Sequence, residues 1–269
     1  MKTINEFEVK DGDVIVVWFS CGAASAVATM KTIEKYGNRC KIRVVNSPIK
    51  EEDEDNKRFL TDVENWLGIK VESATNIAYP SCSAEEVWRD RRFMSGRDGA
   101  PCTGELKKEA RYQYECRVKI NWHVLGFTAD EKHRYDRFTK FERENVLPIL
   151  IEAGITKADC FGILKNVGIE IPRMYRLGYP NANCIGCVKA TSPTYWNHVR
   201  RMHPEVFEAR ARLSREIGCR LVRVKGKRIF LDELDPNAKG RSMKNLNHEC
   251  GIFCDLPKIP KYTPIRKTG

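Results

Sequence analysis

The sequence has no long apolar run. Its longest, Val14-Ile15-Val16-Val17-Trp18-Phe19, has the length of a strand and falls well short of the ~18 residues of a helical membrane span. The first residues, Met1-Lys2-Thr3-Ile4-Asn5-Glu6-Phe7-Glu8, lack the apolar core of a signal peptide, so a cytoplasmic protein with no membrane contact is expected. There is no internal repeat and no low-complexity segment. Two phosphate-binding fingerprints are missing as well: neither a G-x-G-x-x-G turn nor a Walker A loop occurs. The five histidines do not cluster at ligand spacing, and only His248, beside Glu249-Cys250, stands near candidate chemistry.

What is present bounds the answer further. The chain has 269 residues, 42% hydrophobic and 31% charged, which is too apolar for disorder and enough for one large α/β domain or a domain with an appendage. Eleven cysteines are many for a compartment where structural disulfides are rare, and the odd number argues against a fully paired framework; metal binding or thiol chemistry is expected. A net charge of +11 suits polyanionic partners, whether nucleic acid or phosphate-bearing nucleotides. The acidic run Glu51-Glu52-Asp53-Glu54-Asp55 reads as a solvated loop or first helical turn, where carboxylates suit the helix dipole.

Apolar patterning predicts strands over Val14–Phe19, Ile42–Val45, Ile69–Val71 and Trp122–Phe127. Between them it predicts helices over Ser25–Tyr36, about Asn56–Leu67 and about Gly104–Arg117, with Gly37 and Gly68 as stops. Alternation of this kind implies βαβ units and a Rossmann-like parallel sheet with helices on both faces. From about residue 150 the pattern becomes mostly helical (Thr156–Val167, Pro193–His203, Glu205–Ile217) and includes a β-hairpin turning at Gly226. We therefore expect a nucleotide-binding α/β domain over 1–150 and a helical, cysteine-rich extension over 151–269. Trp66, Trp88 and Trp196 fall on helical stretches and read as packing anchors.

In a doubly wound sheet the first strand-to-helix loop commonly meets a phosphate. Here it reads Ser20-Cys21-Gly22-Ala23-Ala24-Ser25, with small residues, two hydroxyls and a helix N-terminus behind them. Cysteine is patterned in three places. Pro101-Cys102-Thr103-Gly104-Glu105-Leu106-Lys107 opens a helix, where the dipole and Lys107 favour a thiolate. Asn183-Cys184-Ile185-Gly186-Cys187 is a C-x-x-C in a loop, the spacing with which two thiolates grip one metal or cluster. Glu249-Cys250-Gly251-Ile252-Phe253-Cys254 lies near the C-terminus. Cys21, Cys40, Cys82, Cys116, Cys160 and Cys219 read as small core or surface thiols, Cys21 being distinguished by its place in the loop.

The first loop resembles the Ser-Gly-Gly-x-Asp-Ser pyrophosphate loop of the adenine nucleotide alpha-hydrolase superfamily, with Cys21 in place of the first glycine and Ala24 in place of the aspartate. The cysteine pattern is similar to that of the PAPS reductase (sulfonucleotide reductase) family, especially the small versions encoded by phages and mobile elements. Cys102-Thr103-Gly104-Glu105-Leu106-Lys107 stands where iron–sulfur members carry a cysteine pair before Arg-Lys, Cys184 and Cys187 match a second pair, and Glu249-Cys250-Gly251-Ile252 resembles the reactive tail. Gly126-Phe127-Thr128-Ala129-Asp130-Glu131, with Arg134 and Arg137 beyond, is similar to the family's loop after a later strand. Two departures stand out: Pro101 leaves the first cysteine pair single, and Phe253 replaces a tail histidine.

The resemblance implies an oxidoreductase that binds an adenylyl sulfate and reduces its sulfate to sulfite. Ser20, Cys21, Gly22, Ala23, Ser25, Asn46, Ser47, Gly126, Phe127 and Thr128 would contact the nucleotide. Arg97, Lys107, Arg134 and Arg137 are candidates to hold the sulfate. Cys250 would attack sulfur, and a thiol carrier such as a thioredoxin would resolve the product. Cys102, Cys184 and Cys187 would ligate a [4Fe–4S] cluster, with Cys254 or Cys250 as fourth ligand or an open site; a structural zinc is the alternative. A homodimer is compatible with this reading. Two other readings use the same residues: ATP-dependent sulfur insertion into tRNA or DNA, which the basic stretch Arg220–Arg228 suits and the missing loop aspartate disfavours, and a zinc-stabilised nucleic-acid-binding protein.

Overall fold

The structure, a computed structural model, describes residues 8–96 and 99–243. Strand β1 (Val14–Trp18) leads through the small-residue loop into helix α1 (Ala23–Tyr36), then β2 (Lys41–Asn46), α2 (Asp55–Leu67) and β3 (Val71–Ser73). Helix α3 (Ala84–Arg91) follows. A helical stretch then runs through a first turn α4 (Pro101–Thr103), a π-helical segment (Gly104–Glu109) and α5 (Ala110–Glu115). Next come β4 (Trp122–Val124), α6 (Lys132–Phe141) and β5 (Val146–Leu147), then α7 (Ile149–Glu152), α8 (Lys157–Asn166) and α9 (Arg173–Arg176). The described chain ends with α10 (Pro193–Met202), α11 (Pro204–Ile217) and the antiparallel hairpin β6 (Val222–Val224) and β7 (Lys227–Ile229).

The first five strands form one parallel sheet in the order β3-β2-β1-β4-β5. Side chains alternate across β1. Ile15, Val17 and Phe19 enter a core with α1, α2, α7 and α8, whereas Val16 and Trp18 enter a smaller core on the other face with Tyr114 of α5. Burial on both faces explains why β1 reads as an unbroken apolar run. The α/β class and the small hairpin expected from the sequence are present.

The third strand lies two residues beyond the expected Ile69–Val71. Gly68 adopts a left-handed conformation (φ 63°) and the Ile69 N–H bonds back to the Glu64 carbonyl at 3.1 Å, so Ile69 still completes the end of α2. A second large core contains Trp88, Trp196, Tyr195 and Phe207 and draws on residues from both halves of the chain, including Ile49, Tyr79 and Leu106. Trp66 packs at the margin of the sheet core.

The acidic run differs from its expected solvated role. Glu51 caps α3, accepting hydrogen bonds from the Ser83 hydroxyl and the Ala84 N–H at 2.7 Å each. Buried Asp53 pairs with Arg173 at 2.8 Å, and Asp55 accepts from Arg58 and from the Arg173 N–H. Only Glu54 remains largely exposed. All five carboxylates find donors on distant segments, Glu54 from Arg173 at 3.4 Å, because this run lies where the sheet meets the second core.

Candidate active site: a cleft at the carboxyl ends of the strands

The sheet order reverses at β1, since β2 and β3 lie on one side and β4 and β5 on the other. At such a switch point the loops leaving β1 and β4 diverge and open a crevice. A cleft of about 160 Å³ lies there, lined by the loops after β1, β2 and β4 and by residues from later segments.

Its first wall is the loop Ser20–Ser25. The Ser25 hydroxyl accepts from the Ser20 N–H at 3.2 Å and the Gly22 N–H at 3.3 Å and donates to the Gly22 carbonyl at 2.9 Å. This folds the loop against the start of α1, whose first N–H groups have no intrahelical acceptor. Gly126, after β4, closes against that turn: a Cβ there would lie 2.9 Å from the Ser25 nitrogen and 3.1 Å from the Ala24 carbonyl carbon. Only glycine permits this approach. Cys21 takes a left-handed conformation (φ 53°) and turns away from the cleft into the core. Burial pushes its thiol well above the ordinary range, which makes it a poor nucleophile.

The floor is polar. Asn46 donates to the Phe19 carbonyl at 2.8 Å, fixing the loop after β2 to that after β1. The Ser47 hydroxyl borders the cleft, is buried, and has no hydrogen-bond partner. An orphaned hydroxyl in a cleft is a ready ligand contact. Trp18 lies beneath; its indole N–H donates to Nδ1 of buried His123 at 3.0 Å, while Arg143 lies against Nε2 and pairs with Glu115 at 2.9 Å. Burial, with Arg143 and Arg111 nearby, pushes the His123 imidazole down to about 3, so it is neutral.

Charge enters from three directions. Lys107, on the π-helical segment, is buried with its ammonium 3.5 Å from Glu52. Burial raises the Glu52 carboxyl above its usual range, opposed by Lys107. Arg134 of α6 pairs with Glu131 and lies over the Phe127 ring at 5.6 Å. Lys157, at the start of α8, donates to the Pro180 carbonyl and to Asn181 at 2.9 Å each, holding the segment Asn181–Asn183 against the opening. Lysine and arginine around an orphan hydroxyl and a helix N-terminus make a receptor for a phosphate or sulfate.

Of the residues expected at the nucleotide, Ser20, Gly22, Ser25, Asn46, Ser47, Gly126 and Phe127 line the cleft, as do Lys107 and Arg134. Ala23 is buried in α1. Thr128 is buried and bonded to Glu131, shaping the turn before α6, and Arg137 is exposed on α6; neither borders the cleft. Glu52, Lys157, Tyr175 and Asn181–Asn183 join the site without having been expected.

No protein-family model matches the chain, and a search of curated proteins finds no match. The likeness to PAPS reductases therefore rests on the residues quoted above.

Both described cysteine segments border this cleft. Cys102 opens the helical stretch that carries Lys107, and Cys184 follows Asn183 on the rim. The Ile185 N–H bonds to the Glu51 carbonyl at 2.9 Å and the Cys187 N–H to the Tyr195 hydroxyl at 2.8 Å, which fixes the C-x-x-C loop. Cys102, Cys184 and Cys187 are buried in one core. That donor chemistry fits a thiolate-bound iron–sulfur cluster or zinc. Among the described residues, however, no group of three or more His, Cys, Asp or Glu is placed to hold a metal ion. Arg97, His248, Cys250 and Cys254 lie outside the described residues. Among the described residues no helix is long and apolar enough to cross a membrane.

Proposed function

We propose that the protein binds an adenylyl sulfate, PAPS or APS, in this cleft and reduces its sulfate to sulfite, on a sheet of adenine nucleotide alpha-hydrolase type. The observation that carries the reading is the convergence of a small-residue loop, an orphan hydroxyl and two cations, Lys107 and Arg134, on a cleft whose rim adjoins Cys184. The N-terminus of α1 and Ser47 suit the phosphate, and Lys107 and Arg134 suit the sulfate. Positive charge there stabilises the negative charge that moves onto the phosphate oxygen as the S–O bond breaks.

In this scheme the Cys250 thiolate attacks sulfur, and the nucleotide leaves with the S–O electron pair. The cysteine then carries an S-sulfonate. A thiolate of an external dithiol carrier attacks the Cys250 sulfur, releasing sulfite and forming a mixed disulfide. The carrier's second thiol then displaces Cys250, and the carrier departs oxidised by two electrons. The buried Cys21 thiol does not serve here. Cys102, Cys184 and Cys187 would hold a [4Fe–4S] cluster; with Cys254 as fourth ligand all four irons would be thiolate-bound, and with that position open one iron could hold an external sulfur ligand.

The test is an anaerobic preparation assayed for sulfite from PAPS and from APS with a thioredoxin as reductant, and for pyrophosphate from ATP. Sulfite without pyrophosphate is expected. Lys107→Ala should lower sulfite release about 100-fold, in line with losing one charge-stabilising group, and Cys250→Ser should abolish it. Pyrophosphate release that depends on added RNA or DNA would replace this reading with sulfur insertion.

A further inference from the structure

The charge of the molecule is not spent at the cleft. The stretch 217–231 contains no carboxylate and carries Arg220, Arg223, Lys225, Lys227 and Arg228. Folded as the β6–β7 hairpin, it sets Arg223 directly opposite Arg228 and Val224 opposite Lys227. Like charges facing each other across a strand pair are unfavourable for folding alone. The flanking acids do not relieve them. Glu216, the last carboxylate before the hairpin, pairs with Arg89, and Asp232 and Glu233, the first after it, both pair with Arg215.

The surface extends beyond the hairpin. The Arg223 N–H bonds to the Thr191 carbonyl at 2.9 Å, and the Ser192 hydroxyl donates to the Arg241 carbonyl at 2.9 Å. The short segment 191–192 thus joins the hairpin to the chain bearing Lys239 and Arg241, both exposed. None of these seven cations pairs with a carboxylate of the described residues. Residues 244–269 add Lys244, Lys258, Lys261, Arg266 and Lys267 against Glu249 and Asp255, so their composition does not offset the charge.

We propose that the β6–β7 hairpin and the adjoining Lys239–Arg241 segment bind the phosphate backbone of a nucleic acid. The apolar residues of the hairpin, Val222, Val224 and Ile229, pack on the second core and anchor the ribbon, Arg223 and Arg228 pair on its opposite face, and Arg223, Lys225 and Lys227 are exposed. Phe230 is held between the Arg215 and Arg220 guanidinium groups, at 4.0 and 4.9 Å from its ring centre, which stiffens the base of the ribbon. A membrane surface is the poorer fit. Interfacial binding couples basic residues to exposed apolar ones, and the large exposed apolar side chains among the described residues, such as Ile77, Phe141 and Met202, lie outside the hairpin. The surface is independent of what the cleft binds.

The experiment measures fluorescence anisotropy of labelled single-stranded RNA, single-stranded DNA and duplex DNA of about 20 nucleotides, from about 50 to 200 mM KCl. The full chain should bind at least one of these, with affinity falling steeply as salt rises. The triple variant Arg223→Glu, Lys225→Glu, Lys227→Glu should lose at least about tenfold in affinity and about two to three in the slope of log K against log salt. Arg223→Gln with Lys227→Gln, a milder pair that keeps the strands intact, should lose an intermediate amount, with far-UV circular dichroism unchanged. RNA binding without DNA binding, or the reverse, identifies the polymer. Absence of binding by the full chain at 50 mM KCl, equal binding by both variants, or hairpin-dependent binding to phosphatidylserine vesicles without binding to any nucleic acid would overturn the proposal.

Discussion

Two regions of this molecule differ in where their buried polar groups point. In the second core two groups are paired to hold shape: the Trp196 indole N–H donates to the Ala190 carbonyl at 2.8 Å, and Asn197 donates to the Asp235 and Ala238 carbonyls at 2.9 Å each, while the Trp88 indole N–H and the Tyr179 hydroxyl have no partner. At the cleft the Ser47 hydroxyl has no partner and faces the opening, and the largely buried Glu52 carboxylate meets Lys107 at 3.5 Å and accepts from Asn56 at 3.2 Å. A paired network favours one arrangement, whereas an unpaired one leaves hydrogen-bonding capacity that a ligand can take up. The unpartnered hydroxyl at the cleft is open to a ligand, whereas the second core, through Tyr195, holds the cysteine loop in place.

The largest effect is expected of Trp196→Ala. The side chain is fully buried, and its loss should cost roughly 3–5 kcal/mol by cavity formation and an orphaned carbonyl, read as a lower urea midpoint. If the second core positions the rim, ligand affinity falls with it; a variant that unfolds more easily yet binds unchanged below the transition would separate the regions. Gly126→Ala comes next. Its Cβ would strike the Ser25 backbone, so a loss of roughly 1–3 kcal/mol is expected, with weaker nucleotide binding by calorimetry.

A pH series sharpens the contrast at the floor. His123 is held neutral down to about 3 in the fold against an ordinary value of 6.5. Between these values the unfolded chain binds a proton that the folded chain refuses, so stability present above 6.5 is lost as pH falls. The slope should approach roughly 1.4 kcal/mol per pH unit in urea titrations at successive pH values, and His123→Gln should remove that share. The smallest change is Ser47→Ala. Because the hydroxyl has no partner, stability should shift by no more than about 0.5 kcal/mol, while nucleotide affinity falls up to about tenfold. Equal affinity in that variant would remove Ser47 from the site.

Much of the sheet was legible because β1 is an apolar run, β2 and β4 carry short apolar stretches, and α1 and α2 end at glycines. Strand β5 was not, since two residues, Val146 and Leu147, carry no period. Nor was α6, half of whose ten residues are charged and which buries only Tyr135 and Phe138. At the cleft, the loops after β1 and β2 and Lys107 were readable from their place after a strand or within a motif. Glu52 was hidden in a run of five acids, where nothing local marks which carboxylate will be buried. Lys157 and Tyr175 were invisible because they reach the cleft from α8 and α9, distant in the chain.

By itself the sequence determined the parallel sheet, the small-residue turn after its first strand and the excess of positive charge. These follow from short-range rules: side-chain period, glycine's freedom of backbone and the count of ionised groups. Only the tertiary structure decided that Glu52 would face Lys107, that Ser47 would be left without a partner and that Arg223 would oppose Arg228. Burial and pairing are properties of groups brought together from distant positions, and a linear pattern holds no record of the distances between them.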